Sequence, residues 1–138
     1  NQWRTIAAEV TELIEGQQHR MELTSDRHGH WRLDGADADV VDGCIDIDLE
    51  SSALTNTIFM HRVQPSTTEV REAPAAYVRC APLRLDRPEQ TYRRSPERDT
   101  SDEVTFDYTS PAFDTYATLR FDRHGLVTDY PGLAIRHR

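Results

Sequence analysis

The sequence predicts a mainly β fold of antiparallel strands with little helix, and three observations predict it. Apolar and polar residues alternate with period two, the mark of half-buried strands. Turn residues break the alternation about every ten positions, as a meander of consecutive strands requires. Only Ser51 to Arg62 is open to a turn or two of helix, because Ser and Thr dominate its start.

From the N-terminus, Ile6, Ala8, Val10 and Ile14 and then His19, Met21 and Leu23 predict a hairpin turning at Glu15-Gly16. The tetrapeptide Asp-Arg-His-Gly occurs at 26–29 and again at 122–125, each time between strand-like segments. Its Gly stands where a turn needs a positive φ, so it reads as repeated turn chemistry in preference to a duplicated functional motif. Ser95 to Asp102 is charged, contains Pro96 and reads as an exposed loop. Val104, Phe106 and Tyr108 alternate, and Phe113, Thr115, Ala117, Leu119 and Phe121 form the dry face of the next strand, with Asp114, Tyr116, Thr118, Arg120 and Asp122 on its wet face.

The chain has 138 residues, which fits one domain over 1–138 with a core of ordinary size. Hydrophobic residues make up 37% and the mean hydropathy is -0.70, so that core should be thin. A net charge of -8 repels polyanions and argues against nucleic acid as a partner. All sixteen basic residues are Arg, which reads as codon bias and not as design for anions. No run of 18 apolar residues or charged-then-apolar leader occurs, so a cytoplasmic location without a transmembrane segment is expected. Cys44 and Cys80 lack CxxC spacing and are expected as buried thiols.

The most informative segment runs from Gly43 to Glu50. Alternation places Ile45, Ile47 and Leu49 on one side, and Cys44, Asp46, Asp48 and Glu50 on the other. Three carboxylates sharing an enclosed face would raise at least one pKa and suit acid catalysis, a metal or sugar hydroxyls. Composition favours the plainer expectation that this face is simply solvated. Thr55-Asn56-Thr57 and Arg62 then add hydroxyl, amide and guanidinium donors suited to carbohydrate or carboxylate recognition, or to turn-building.

His28 and His30 would share a strand face, but with His61 and His124 elsewhere they match no ligand spacing, so no metal and no cofactor is expected. No Gly-x-Ser-x-Gly marks a serine hydrolase, and no alternating strand-helix pattern supports a nucleotide-binding domain. Arg79, Arg84, Arg87, Arg93, Arg94 and Arg98 are interleaved with acids and read as a mixed solvated face.

Read in order, Gly43-Cys44-Ile45-Asp46-Ile47-Asp48-Leu49, Thr55-Asn56-Thr57 with Arg62, Gln90-Thr91-Tyr92, Gly125-Leu126-Val127, and Tyr130-Pro131-Gly132-Leu133 with Arg136 resemble the bacterial putative glycolipid-binding family. The chain departs from that pattern at Ser52-Ala53-Leu54 and at Ile58-Phe59-Met60-His61-Arg62. The resemblance implies a spiral β-roll or open half-barrel sheet, similar to the bacterial lipoprotein-carrier fold, with an apolar concavity for acyl chains. A non-enzymatic protein that binds an amphipathic lipid or glycolipid is therefore the first expectation. Its head group would lie near Asp46, Asp48, Asn56, Arg62, Tyr92 and Tyr130.

Two rivals stand beside it. A hydrolase of a glycosyl or acyl ester would use two of Asp46, Asp48 and Glu50 as acid and base. A structural or interaction module would need none of these residues for chemistry. Binding predicts a solvent-connected apolar cavity with Asp46 and Asp48 at its rim, catalysis a polar cleft with raised pKa values, and the structural module a core without cavities. The oligomeric state is open on sequence grounds.

Overall fold

The protein is described here by a computed structural model covering residues 3–26, 28–63 and 68–137. Strands β1 (Ala7–Ile14) and β2 (Gln17–Ser25) form the expected hairpin. Glu15 and Gly16 have φ of 50 and 80, the paired left-handed residues of the tight turn whose twist matches the flanking strands. Strands β3 (Trp31–Leu33) and β4 (Ala36–Asp37) complete a four-stranded antiparallel sheet in sequence order.

Next come β5 (Asp46–Leu49), helix α1 (Asn56–Val63), β6 (Val70–Glu72), β7 (Ala75–Arg79) and β8 (Arg84–Asp86). Helix α1 starts inside the one segment left open to helix and ends one residue beyond it, and Ser52 caps the short 3-10 turn leading into it by accepting from the Leu54 N–H at 3.3 Å. The chain ends with β9 (Thr91–Arg94), β10 (Glu103–Ser110), β11 (Thr115–Asp122), β12 (Val127–Tyr130) and β13 (Ala134–Ile135). With β6 these strands make a six-stranded sheet in the order β13-β12-β11-β10-β9-β6, open at both ends.

The architecture is thus mainly β, built from antiparallel sheets that do not close into a barrel. Two pairings depart from the expected run of consecutive antiparallel strands, the first being β6 beside β9, which skips β7 and β8. In the three-stranded sheet β5-β7-β8, β5 and β7 are parallel, with Asp46 opposite Ala75 and Asp48 opposite Tyr77. Parallel neighbours need a crossover, and α1 and β6 lie within it.

The parallel pair separates two cores. Ile47, Ala76 and Val78 face the first, with Met21, Leu23, Trp31, Val41 and Cys44. Burying a side chain such as Leu23 or Val41 contributes about 1.5 to 3 kcal/mol. The second core holds Phe59, Met60, Tyr92, Phe106, Tyr108, Leu119 and Phe121, drawn from α1 and the six-stranded sheet. The other face of β5 and β7, with Asp46, Asp48 and Ala75, turns toward Phe59 and Tyr92 of that second core.

Four expectations are corrected. Cys44 precedes β5 and packs in the first core, where its carbonyl accepts from Trp31 Nε1 at 2.9 Å, so it does not share the acidic face. Phe113 lies outside the strand. Pro111 cannot donate a ladder hydrogen bond, and Pro111–Phe113 form a 3-10 turn that ends at a left-handed Asp114. Ser95 is buried, not exposed, and donates to Asp107 at 2.7 Å. Cys80 is only partly buried, although both cysteines are free thiols.

The two Asp-Arg-His-Gly copies share one turn geometry. Asp26 Oδ1 accepts from the N–H groups of His28 and His30, and Asp122 Oδ1 from those of His124 and Leu126. Arg27 lies outside the described residues. No helix among the described residues is long and apolar enough to cross a membrane.

Candidate functional site

Strand alternation and the parallel register together aim Asp46 and Asp48 into the molecule. The acidic face expected to be solvated is enclosed, with Asp46 7% and Asp48 8% exposed. The reason is tertiary: β7 covers one edge of β5, while α1 and β9 lie over its acidic face.

The two carboxylates and the Asn56 amide each have a partner, whereas the buried Thr57 hydroxyl has no hydrogen-bond partner among the described residues. Arg62, near the end of α1, reaches Asp46 with two donors, Nε to Oδ1 at 3.2 Å and an Nη to Oδ2 at 2.5 Å, the fork geometry that guanidinium and carboxylate share. Asp48 accepts from Thr55 Oγ1 and from Gln90 Nε2, both at 2.7 Å. Asn56 Nδ2 donates to the Tyr92 hydroxyl at 2.7 Å, and the Tyr92 ring stacks on Phe59 with centroids 4.0 Å apart. Beyond Tyr92 the aromatic row continues to Tyr108 at 5.0 Å and then to Tyr130 at 6.0 Å.

Burial raises the Asp48 pKa above the usual carboxylate range; hydrogen bonds from Thr55 and Gln90 offset part of this, and the neighbouring Asp46 adds to it. Four tyrosines respond to Asp48 in turn. Burial and then the Asp48 charge push Tyr92, Tyr108 and Tyr130 upward, Tyr130 to about 12, while Tyr77 is raised by burial, Glu50 and Asp48. One carboxylate thus sits among four phenols. Tyr77 and Tyr130 are half-buried and form the accessible members, with Phe113 4.7 Å from Tyr77.

Between Asp46, Asp48, Asn56, Phe59, Gln90 and Tyr92 is a crevice of about 10 Å³. That is room for about one water molecule. Larger hollows lie elsewhere among the described residues: one of about 360 Å³ with charged walls beside the Asp122–Arg136 pair, and one of about 150 Å³ between Arg4, His28 and Gly43.

Of the expected head-group residues, Asp46, Asp48, Asn56, Arg62 and Tyr92 converge on this crevice, and Tyr130 joins through Tyr108. Glu50, grouped with them by alternation, points elsewhere: it pairs with Arg79 at 3.6 Å and accepts from the Cys80 N–H. The site also uses Thr55, which residue reading named among the donors after the acidic strand, and Phe59, Gln90, Tyr77 and Tyr108, which it did not place there. For Gln90 a signal existed, because it stands two residues before Tyr92 and therefore on the same side of an extended chain. Among the described residues no group of three or more His, Cys, Asp or Glu could hold a metal ion.

A sequence model of the family described as "Putative glycolipid-binding" matches residues 1–136. The chain belongs to this family. A solved structure of a DUF1089 family protein from Pseudomonas aeruginosa has a TM-score of 0.82 to it at 29% identity, covering 99% of this chain and 72% of that one. No curated protein matches the chain. The segments that carry the likeness to the glycolipid-binding family mostly meet at the crevice. Residues 43–49 lead into and form β5, Thr55-Asn56 leads into α1 and Gln90-Thr91-Tyr92 opens β9. The last segment closes the fold at a distance, where Arg136 clamps β13 by donating to Asp122 at 2.6 Å.

Proposed function

We propose that this protein binds an amphipathic glycolipid, with the sugar at the Asp48 crevice, and that it carries out no reaction on it. The family description supports the class of ligand. The observation that carries the placement is the pair of carboxylates turned inward among aromatic rings. An apolar face there would be cheaper for folding, since buried charges cost more than they return unless a function keeps them.

A sugar ring fits this surroundings chemically. Its hydroxyls donate to a carboxylate and accept from amides and phenols, and its C–H face rests on aromatic rings. In the closed crevice there is room for about one water, so in this reading the ring lies outside it, against the half-buried rings of Tyr77 and Tyr130. The second core is packed and shows no apolar cavity of the kind expected for an acyl chain among the described residues, so the tail enters among its side chains only if α1, the short helix over the acidic face, moves outward. Each methylene so buried contributes about 0.8 kcal/mol.

The hydrolase reading has less support. Both Asp46 oxygens are held by Arg62, which leaves no free base beside the raised Asp48. The fold over 1–138 serves as one binding domain in this reading.

Native mass spectrometry of freshly purified protein, followed by organic extraction, tests the proposal. It predicts excess mass at one lipid per chain with a sugar-bearing head group. A clean apo mass that persists after incubation with glycolipid counts against it.

A further inference from the structure

We propose that Asp46 makes this site exclude anionic head groups, so that the ligand carries an uncharged, polyhydroxylated one; the inference rests on the binding reading above. Arg62 is the guanidinium beside the crevice, and Asp46 occupies two of its donors. The side chains are 19% and 9% exposed, so the pair is little screened by solvent and Arg62 is committed to it.

What remains at the crevice offers no further cation among the described residues. Asp48 is matched only by neutral donors, the Thr55 hydroxyl and the Gln90 amide. The next cation along β7, Arg79, is held between Glu50 at 3.6 Å and Asp86 at 3.9 Å. A phosphate or carboxylate entering here therefore meets cations already matched by acids, and a chain whose net charge of -8 has its own sign. A sugar meets no such barrier. Discrimination is built by leaving the wrong head group unpaired as well as by contacts to the right one.

The test compares two probes with the same tail, dodecyl maltoside and dodecyl phosphate, each below its micelle concentration and at high ionic strength. Binding is followed by intrinsic fluorescence. The wild-type chain is expected to bind the maltoside at least roughly ten-fold more tightly, about 1.4 kcal/mol. Asp46→Asn releases Arg62 and should strengthen phosphate binding, narrowing that ratio. Asp102→Asn, an exposed change of equal charge away from the crevice, should leave the ratio as it was.

Equal or tighter binding of the phosphate by the wild type overturns the exclusion while leaving the binding reading standing. Preference for a third probe with the same tail, dodecyltrimethylammonium, over the maltoside overturns the uncharged head group. An unchanged ratio in a folded Asp46→Asn removes Asp46 from the role. If that variant does not fold, the wild-type ratio still decides the exclusion. Failure of every probe to bind the wild type sinks the binding reading itself, and this inference with it.

Discussion

Asp48 is the residue on which the account turns, because its environment gives it a pH signature. Its pKa is raised in the folded chain, so the folded state holds the proton more tightly than the unfolded state does. The stabilisation from that proton is complete below the ordinary value of 3.8 and is lost as pH rises through the raised folded value. Asp48→Asn never ionises. Its stability relative to wild type should therefore increase between pH 4 and pH 7.5, read from urea midpoints at the two pH values; a constant difference would mean that Asp48 is not desolvated. Gly29 makes a different demand. It has φ of 98, and a Cβ there would lie 3.1 Å from the Gly43 Cα, so Gly29→Ala should cost about 2 kcal/mol or more. Gly43→Ala, with φ of 84 but open space around it, should cost about 1 kcal/mol. That Asp46 and Asp48 share a side was legible from spacing alone. Their enclosure was not, because no local pattern says what will cover a strand.

At the scale of elements, local chemistry was read correctly where it was self-sufficient. Glu15-Gly16 turns the first hairpin, and Val104, Phe106 and Tyr108 alternate along β10 as their pattern predicts. Glu15 is a poor choice at its φ of 50, where Asn is favoured. Glu15→Asn should stabilise the chain by about 0.5 kcal/mol, measurable as a rise in the urea midpoint without a change in slope. Two features escaped the pattern. The strand read from Phe113 starts two residues later, because the proline before it imposes a turn that side-chain alternation does not register. The β5–β7 pair is parallel, a long-range choice set by the crossover that carries α1. Adjacent antiparallel strands are the simplest reading of consecutive alternating segments, and nothing between Glu50 and Ala75 signals the exception.

For the whole molecule, the decisive arrangement is one sheet between two cores, with an apolar face toward Trp31 and Leu23 and an acidic face toward Phe59 and Tyr92. Sequence alone indicated the mainly β class, and the family resemblance indicated which segments would matter. The separation into two cores, and hence the burial of the acidic row, follows from tertiary packing. Titration works in opposite directions across this body. Asp107 is pulled below the usual range, because Ser95, Arg93 and Arg98 outweigh its desolvation, so its contribution is present above the unfolded value and lost as pH falls. Asp48 does the reverse: its raised pKa works against the folded state as pH rises, a cost that the proposed ligand recognition would explain. Titration of the labelled protein with dodecyl maltoside, following the Asp48 side-chain carboxyl carbon and the Tyr77 and Tyr130 ring signals by NMR, tests this most directly. The account predicts saturable shifts at all three. Saturable shifts confined to the Asp122–Arg136 hollow, with Asp48 and the tyrosines unmoved, would contradict it.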